Sequence, residues 1–394
     1  MANVLTINGG SSSIRFAVFE AGRPPKRLMQ GKIERIGQLK TSLTVEQGVG
    51  AAPTQIKVET GEHRSAGEFL LRWLESQPSF AALRGVGHRV VHGMLHTAPE
   101  LVTPQLLNEL KKIIPFDPEH LPRELELIET VRRGHEQLPQ VVCFDTAFHR
   151  SMPPVATQLP IPRRYAARGI QRYGFHGLSY TFLMQELERL GDPAAHRGRI
   201  ILAHLGSGAS LAAVRDGRSI DTSMGFTPTA GLVMGTRSGD LDPGLMSYLL
   251  LTDAMTPARF QTMVNHESGL LGVSATSADV RDLLEREGSD PRASEALGLF
   301  CYQARKWIGA FAAALGGLDT LVFAGGIGEN SAPVRQRICE GLDFLGIDID
   351  ADANGRHAPL ISGDKASARV RVIRTDEESV IADSTIRLLN IEPT

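Results

Sequence analysis

Asn8-Gly9-Gly10-Ser11-Ser12-Ser13 lies between two strand-like runs, Val4 to Ile7 and Ile14 to Phe19. β-Branched and aromatic runs joined through Gly-Gly predict a β-hairpin with this hexapeptide at its tip. Glycines there let backbone N–H groups approach an anion, and three hydroxyls and an amide add neutral donors, so the turn suits a phosphate group. An ordinary hairpin turn with incidental serines is the alternative, and this stretch alone does not decide between them.

The same grammar returns at Arg199. Apolar Ile200 to Ala203 leads into His204-Leu205-Gly206-Ser207-Gly208-Ala209-Ser210, then apolar Leu211 to Val214, then an Asp216-Gly217 turn. Two copies of strand, phosphate-type turn and strand predict duplicated halves that close on a nucleotide. Length agrees: 394 residues exceed the roughly 250–300 at which single cores stop growing, so two domains are expected. With 42% apolar and 22% charged residues and a net charge of −2, the composition is that of a soluble globular protein without a nucleic-acid preference. No apolar run reaches a membrane span, and Met1 to Ile7 lacks signal-peptide features. Cys143, Cys301 and Cys339 are far apart in apolar settings, which reads as small buried thiols in a reducing, cytoplasmic compartment.

Between the two turns, Lys26 to Lys57 reads as further strands of the first sheet. Phe69, Leu70, Trp73 and Leu74 mark a helix over Ala66 to Glu75. Val86-Gly87-His88-Arg89-Val90-Val91-His92-Gly93 is a short strand carrying an arginine that needs an anionic partner, either an internal carboxylate or a substrate; His88 and His92 each read more simply as core histidines. Leu106 to Ile114 is an amphipathic helix, and a second begins near Glu119 and runs to about Arg132. The apolar strand Gln140 to Phe144 ends in Asp145, at the strand end where α/β sheets place ligands; a helix N-cap is the other reading of that carboxylate. Proline-rich Ser151 to Arg164 resembles a domain connection and leads to Tyr173-Gly174-Phe175-His176-Gly177, an imidazole presented from a loop or a satisfied structural one.

The glycine-rich segment from Asp221 to Pro243 reads as a site loop, with Arg237 and two possible partners, Asp240 and Asp242. A core helix containing Phe300, Ala304, Trp307, Ile308, Phe311 and Leu315 feeds the strand Thr320 to Phe323. The turn Ala324-Gly325-Gly326-Ile327-Gly328-Glu329-Asn330-Ser331 then opens a helix, an arrangement suited to a nucleotide. A strand Val370 to Ile373, the run Thr375 to Glu378 and a last helix close the chain.

Taken together, Asn8 to Ser13, Gly87 to Gly93, Phe144 to His149, Tyr173 to Gly177, Met234 to Pro243 and Gly325 to Ser331 resemble the acetate kinase family of acyl-phosphate-forming kinases, from Asn8 to Glu377. The resemblance implies an α/β chain of two duplicated actin-like ATPase (ribonuclease H-like) domains with the nucleotide in the cleft between them. The N-terminal domain would span 1–148 plus 374–394, and the C-terminal domain 149–373. It implies ATP as co-substrate, Mg2+ (Mn2+ possible) on Asn8 and Glu377, catalysis by Asp145, Arg89, Arg237 and His176, and a short-chain carboxylate held by Arg89, Val91, Phe175 and Pro228. Nucleotide contacts would come from Ser13, Arg15, His204, Gly206, Ser207, Gly208, Asp279, Val280, Arg281, Gly325, Gly326, Ile327, Gly328 and Asn330. A homodimer and a place in acetyl-CoA formation are implied too.

The chain departs from the family pattern at Ser207 (usually Asn), Tyr180 (usually His) and Thr229-Ala230 (usually Leu-Glu). Within Pro118-Glu119-His120-Leu121-Pro122, Glu119 takes the place of a leucine walling the methyl pocket. Either Glu119 turns away to pair with Arg123, leaving a pocket for acetate and propionate, or it enters and selects another acyl group. A sugar or alcohol kinase, with Asp145 as base, and an ATP-switched binding protein of the same fold remain as rival readings.

Overall fold

The computed structural model describes residues 2–10, 13–36, 41–48, 50–58 and 63–392. Ser11 and Ser12 of the first turn lie outside them. The chain divides into two compact units, Met1–Phe148 with Asp376–Thr394, and His149–Thr375. The proline-rich segment expected as a connection falls inside the second unit, where Pro154–Thr157 and Arg163–Ala166 form short helices.

The first unit is built on a sheet of eight strands: β1 (Asn3–Gly9), β2 (Ser13–Glu20), β3 (Lys26–Glu34), β4 (Ser42–Gln47), β5 (Thr54–Lys57), β6 (Leu83–Val90), β7 (Glu100–Leu101) and β8 (Gln140–Phe144), in the order β5-β4-β3-β2-β1-β6-β8-β7. The β1–β2 hairpin is antiparallel, with Asn8 opposite Arg15 and Gly9 opposite Ile14. β6 pairs parallel to β1 and β8 parallel to β6. β1 is buried along its whole length, as its near-continuous apolar run requires of a central strand.

Helix α1 (His63–Glu75) follows β5, and α2 (Pro104–Lys112) and α3 (Leu121–Gly134) lie between β7 and β8. α2 starts where Thr103 Oγ1 accepts the Leu106 N–H at 3.1 Å and Pro104 presets the first turn. Ala66, Leu70 and Leu74 of α1 and Leu127 and Val131 of α3 share a core with Leu5, Ile7 and Val86 of the sheet. On β1 and β6 also packs the last helix, Glu377–Leu388. Gly87 permits that approach, because a Cβ there would stand 2.3 Å from Thr385 Oγ1 and 2.5 Å from Ile381 Cγ2.

In the second unit β9 (Arg199–Leu205), β10 (Ala209–Arg215), β11 (Arg218–Thr222), β12 (Thr320–Ala324) and β13 (Arg369–Val372) are ordered β11-β10-β9-β12-β13. The pairings are antiparallel from β11 to β10 and β10 to β9, then parallel from β9 to β12 and β12 to β13. β3-β2-β1-β6-β8 of the first unit repeats this order and these directions. The internal repeat read from the sequence is therefore a repeat of topology, and each phosphate-type turn joins the first two strands of its unit.

His88 of β6 is a core histidine, 2% exposed, with Nε2 donating to Gln140 Oε1 at 2.7 Å. Burial outweighs that bond and pushes its pKa down to about 4. The unfolded chain, with histidine near ~6.5, binds a proton that folded His88 refuses, so this contribution is complete above pH ~6.5 and lost as pH falls toward 4. Between pH 7 and pH 5 the wild type is expected to lose about 2 kcal/mol of unfolding free energy through His88. Urea titrations of His88→Gln should show a correspondingly shallower loss; equal pH slopes would remove His88 from the account.

Candidate active site

The parallel strands β1, β6 and β8 end side by side, and the candidate residues of the first unit sit at those ends: Asn8 on β1, Arg89 on β6 with Val91 beyond it, and Asp145 just after β8. Arg89 Nε and Nη2 both donate to Asp145 Oδ2, at 2.9 and 2.6 Å. Arg89 Nη1 reaches Asn8 Oδ1 at 3.4 Å and Gly9 O at 3.5 Å. Asn8 Nδ2 in turn donates to Glu377 Oε2 at 2.9 Å. Glu377 is delivered by the last helix, whose N-cap Asp376 accepts the Ser379 N–H. Asp145 is therefore no N-cap. Its Oδ1 is buried without a hydrogen bond.

Three carboxyls thus surround one guanidinium, because Glu124 Oε1 of α3 also stands 3.8 Å from Arg89 Nη1. Burial works against the Arg89 charge, but Asp145, Glu377 and Glu124 outweigh it and hold the proton more firmly than on a free arginine. Burial pushes Glu377 upward against the pull of Arg89, and lifts Glu124 to about 8. Burial drives Glu377 and Glu124 toward their neutral forms, and a second cation beside Glu377 would favour its ionised form. Among the described residues no group of three or more His, Cys, Asp or Glu could hold a metal by itself, but Mg2+ is commonly held by one or two carboxylates plus substrate phosphates.

The second unit gathers His176, His204, Arg237 and the Gly206–Gly208 turn. His176 stands at φ 60, the left-handed residue before the helix Gly177–Arg189. Its ring stacks on His204 with centroids 4.2 Å apart, and its Nδ1 meets Ser210 Oγ at 2.8 Å. Ser210 also meets the Tyr180 hydroxyl, so Tyr180, where the family usually carries a histidine, joins the same chain of hydrogen bonds. A Cβ on Gly208 would lie 3.4 Å from His176 Nε2 and 3.6 Å from Arg237 Nη1, which places both cationic-type side chains against the turn. Phe175, 1% exposed, has its carbonyl held by His149 Nε2 at 3.0 Å. Arg237 Nη1 donates to Pro228 O at 3.2 Å. The two aspartates expected near it serve the backbone instead: Asp240 Oδ1 accepts the Gly231 N–H at 2.8 Å, and Asp242 Oδ1 caps Pro243–Thr252 through the Gly244 N–H.

The turn itself is tightly tied. Gly206 N–H donates to Gly208 O at 3.0 Å and Gly235 N–H to Ser207 O at 3.1 Å. Gly235 also abuts Ala278, beside Asp279, which caps Val280–Arg286 and pairs with Arg281 at 2.6 Å. At Gly325, φ 76, a Cβ would come within 2.7 Å of Leu205 O, so only glycine lets the Gly325–Asn330 helix start against β9. Glu329 Oε1 accepts from the Gly325 and Thr375 N–H groups, and Asn330 Nδ2 donates to Gly326 O at 2.9 Å. In the first unit, half-buried Ser13 and exposed Arg15 open β2.

Two residues at these sites escaped the sequence reading. Arg335, completely buried, donates to Gly328 O at 2.8 Å and Glu329 O at 3.0 Å, with burial pushing its pKa down to about 10. Glu124 is the other. Its spacing from Leu121, Leu125 and Ile128 puts it on the buried face of α3, a helical pattern that was available in the sequence. Glu119 sits half-buried in the turn before α3, which begins at Leu121, so the proposed helical pairing of Glu119 with Arg123 starts outside the helix.

The acetokinase family profile matches residues 3–383. An acetate kinase of Methylocella silvestris is 42% identical, over 98% of both chains. A crystal structure of Porphyromonas gingivalis acetate kinase matches at TM-score 0.88 and 34% identity, covering 99% of this chain and 100% of that one. One of a propionate kinase from Francisella tularensis matches at TM-score 0.91 and 33% identity, covering 98% and 100%. An arginine-centred carboxyl cluster, duplicated phosphate-type turns and a match along nearly the whole chain lead to one conclusion: the chain belongs to the acetokinase family, kinases whose phosphoryl acceptor is a carboxyl group.

Proposed function

We propose that the protein transfers the γ-phosphoryl group of ATP to a short-chain carboxylate, acetate first and propionate as the alternative, reversibly and by direct in-line displacement. One observation carries the reading of the site: Arg89, charged and gripped by Asp145, stands at the ends of three parallel strands. A carboxylic acid with pKa near ~4 is already an anionic nucleophile at neutral pH and needs no general base. Its obstacle is repulsion from the polyanionic phosphate, which cations must offset.

In this reading a carboxylate oxygen forms the new bond to the γ-phosphorus while the bond to the β–γ bridging oxygen breaks, and ADP leaves with that electron pair. Arg89 and Arg237 hold the carboxylate and the transferring phosphoryl group, and transfer requires both to act on one phosphoryl. His176 donates to an equatorial oxygen. The chain from Tyr180 through Ser210 to His176 Nδ1 supports this, because hydroxyls donating toward the ring leave the proton on Nε2, the atom facing Gly208. Asp145 orients Arg89 rather than removing a proton. The backbone around Gly206, Ser207, Gly208 and Gly325 to Gly328, with Ser13, Arg15, His204, Asp279, Val280, Arg281 and Asn330, receives the nucleotide, while Val91, Phe175 and Pro228 line the acyl side. Asn8 and Glu377 would hold Mg2+ or Mn2+, which neutralises phosphate charge when bound; the surplus of carboxyls around Arg89 fits a cation there.

We also assign the protein to the cytoplasm as a homodimer. Its three cysteines are buried and unpaired, and no described helix is long and apolar enough to cross a membrane. Pro243–Thr252 buries none of its residues yet carries Tyr248 and Leu251 at 62% and 87% exposure, an apolar surface suited to a second copy. Hydroxylamine trapping of acyl phosphate with ATP, Mg2+ and acetate, propionate or glucose tests the reaction. Carboxylate-dependent hydroxamate is expected; phosphorylation of glucose without hydroxamate would overturn the assignment.

A further inference from the structure

Beside Arg89 lies a buried polar cluster that the proposed transfer does not use. Glu124 is 2% exposed, with Oε2 accepting the Val91 N–H at 3.0 Å. Its Oε1 is 3.8 Å from Arg89 Nη1, beyond hydrogen-bond distance, and has no hydrogen bond at all. Around it are Asp117, 4% exposed, whose carboxyl accepts from the His120 ring at 2.9 Å, and His92, 0% exposed, packed edge-on against Phe116. A pocket for a bare methyl group calls for apolar walls. A carboxyl oxygen left there without a donor carries the full penalty of its lost hydration.

We propose that Glu124 determines acyl specificity, its free oxygen receiving the hydroxyl of a short 2-hydroxy acid whose carboxylate lies on Arg89. The proposal rests on the carboxylate-kinase reading and refines its substrate class. Glu124 is fixed by the Val91 N–H on one side and faces Arg89 on the other, so on the carboxylate-kinase reading its second oxygen lies between a residue assigned to the acyl side and the carboxylate clamp. A hydroxyl on the carbon next to the carboxylate is the nearest donor such a substrate can offer. It suits a carboxyl in either protonation state, being donor and acceptor at once, and the rise of the Glu124 pKa to about 8 is compatible with both. An ammonium group would lose far more hydration on entering. Sites built to hydrogen-bond a substrate hydroxyl discriminate strongly against the analogue that lacks it.

Glycolate and propionate, nearly equal in size and differing by OH for CH3, give the test. Hydroxamate formation by the wild-type enzyme is expected to show kcat/KM for glycolate at least tenfold above that for propionate, and Glu124→Leu should lower this ratio at least tenfold, with Glu124→Gln in between. A ratio unchanged in Glu124→Leu would make Glu124 a mere support for Arg89 and overturn the assignment. So would a wild type that prefers propionate, a result needing no variant and so independent of whether Glu124→Leu folds. Acetate run alongside separates the two readings: turnover of acetate without a glycolate preference overturns the specificity assignment alone, whereas no turnover of any carboxylate overturns both.

Discussion

Arg89→Ala is expected to lower kcat for acyl phosphate formation by about 10²-fold or more, the loss typical of removing one preorganised donor from a developing negative charge. The arginine is gripped through Nε and Nη2 by Asp145 while Nη1 faces Asn8, Gly9 and Glu124, so its position is set before substrate arrives. Removing it also strands three carboxyls. Breaking a buried pair from one side costs about 3–5 kcal/mol, so circular dichroism and a urea midpoint must accompany the kinetics. Arg89→Lys separates the two effects: it restores a positive charge but cannot donate from Nε and Nη2 to one oxygen. If Arg89→Lys recovers stability but stays at least tenfold slow, the planar fork matters to the transition state; full recovery of turnover would reduce Arg89 to a point charge. Arg237→Ala is expected to lose turnover on the same scale, and near-normal activity in either alanine variant would remove that arginine from the mechanism.

The fold was legible because its determinants are local. β-Branched and aromatic runs around Gly-Gly give the β1–β2 hairpin, apolar runs around Gly206-Ser207-Gly208 give β9–β10, and an apolar run ending in a polar group gives β8 and Asp145. Direction in space was legible only in part: Glu377 does come to Asn8, but the partners expected for Arg237 do not reach it. Asp240 and Asp242 stand two residues apart from each other and close to Arg237 in sequence, yet both turn to backbone N–H groups. Glu119 drew attention because it breaks a motif, whereas Glu124, the carboxyl that reaches Arg89, hides within a charged helix as one glutamate among several. Only the helical period, which sets it between Leu121 and Ile128 on the buried face, distinguishes it. Gly87 belongs to the Gly87 to Gly93 motif and also has a packing reason, the close approach of Ile381 and Thr385. Hydrogen-bond chains such as Tyr180–Ser210–His176 join residues far apart in the chain, and no single-sequence pattern encodes them.

Asp145→Asn carries the second large expected effect, because it decides whether this carboxylate positions or deprotonates. Asp145 is fully buried and both of its hydrogen bonds from Arg89 fall on Oδ2. Asparagine keeps the size and one acceptor oxygen but loses the charge that anchors the guanidinium, and its amide would add two buried donors where Oδ1 has no hydrogen bond. Arg89 would then answer to Glu124 and Glu377 alone and shift toward them, away from Asp145. Misplacement of about 1 Å in such a clamp can cost 10²-fold, so kcat is expected to fall by at least that factor. Since the acceptor is ionised well below neutrality and Glu124 titrates only near about 8, the positioning role predicts that this deficit is nearly the same from pH 6 to pH 7. A base would behave otherwise. If wild-type kcat with acetate rose tenfold per pH unit across that range and the rise vanished in Asp145→Asn, proton removal by Asp145 would be the better account, and the acceptor would have to be a group that arrives protonated.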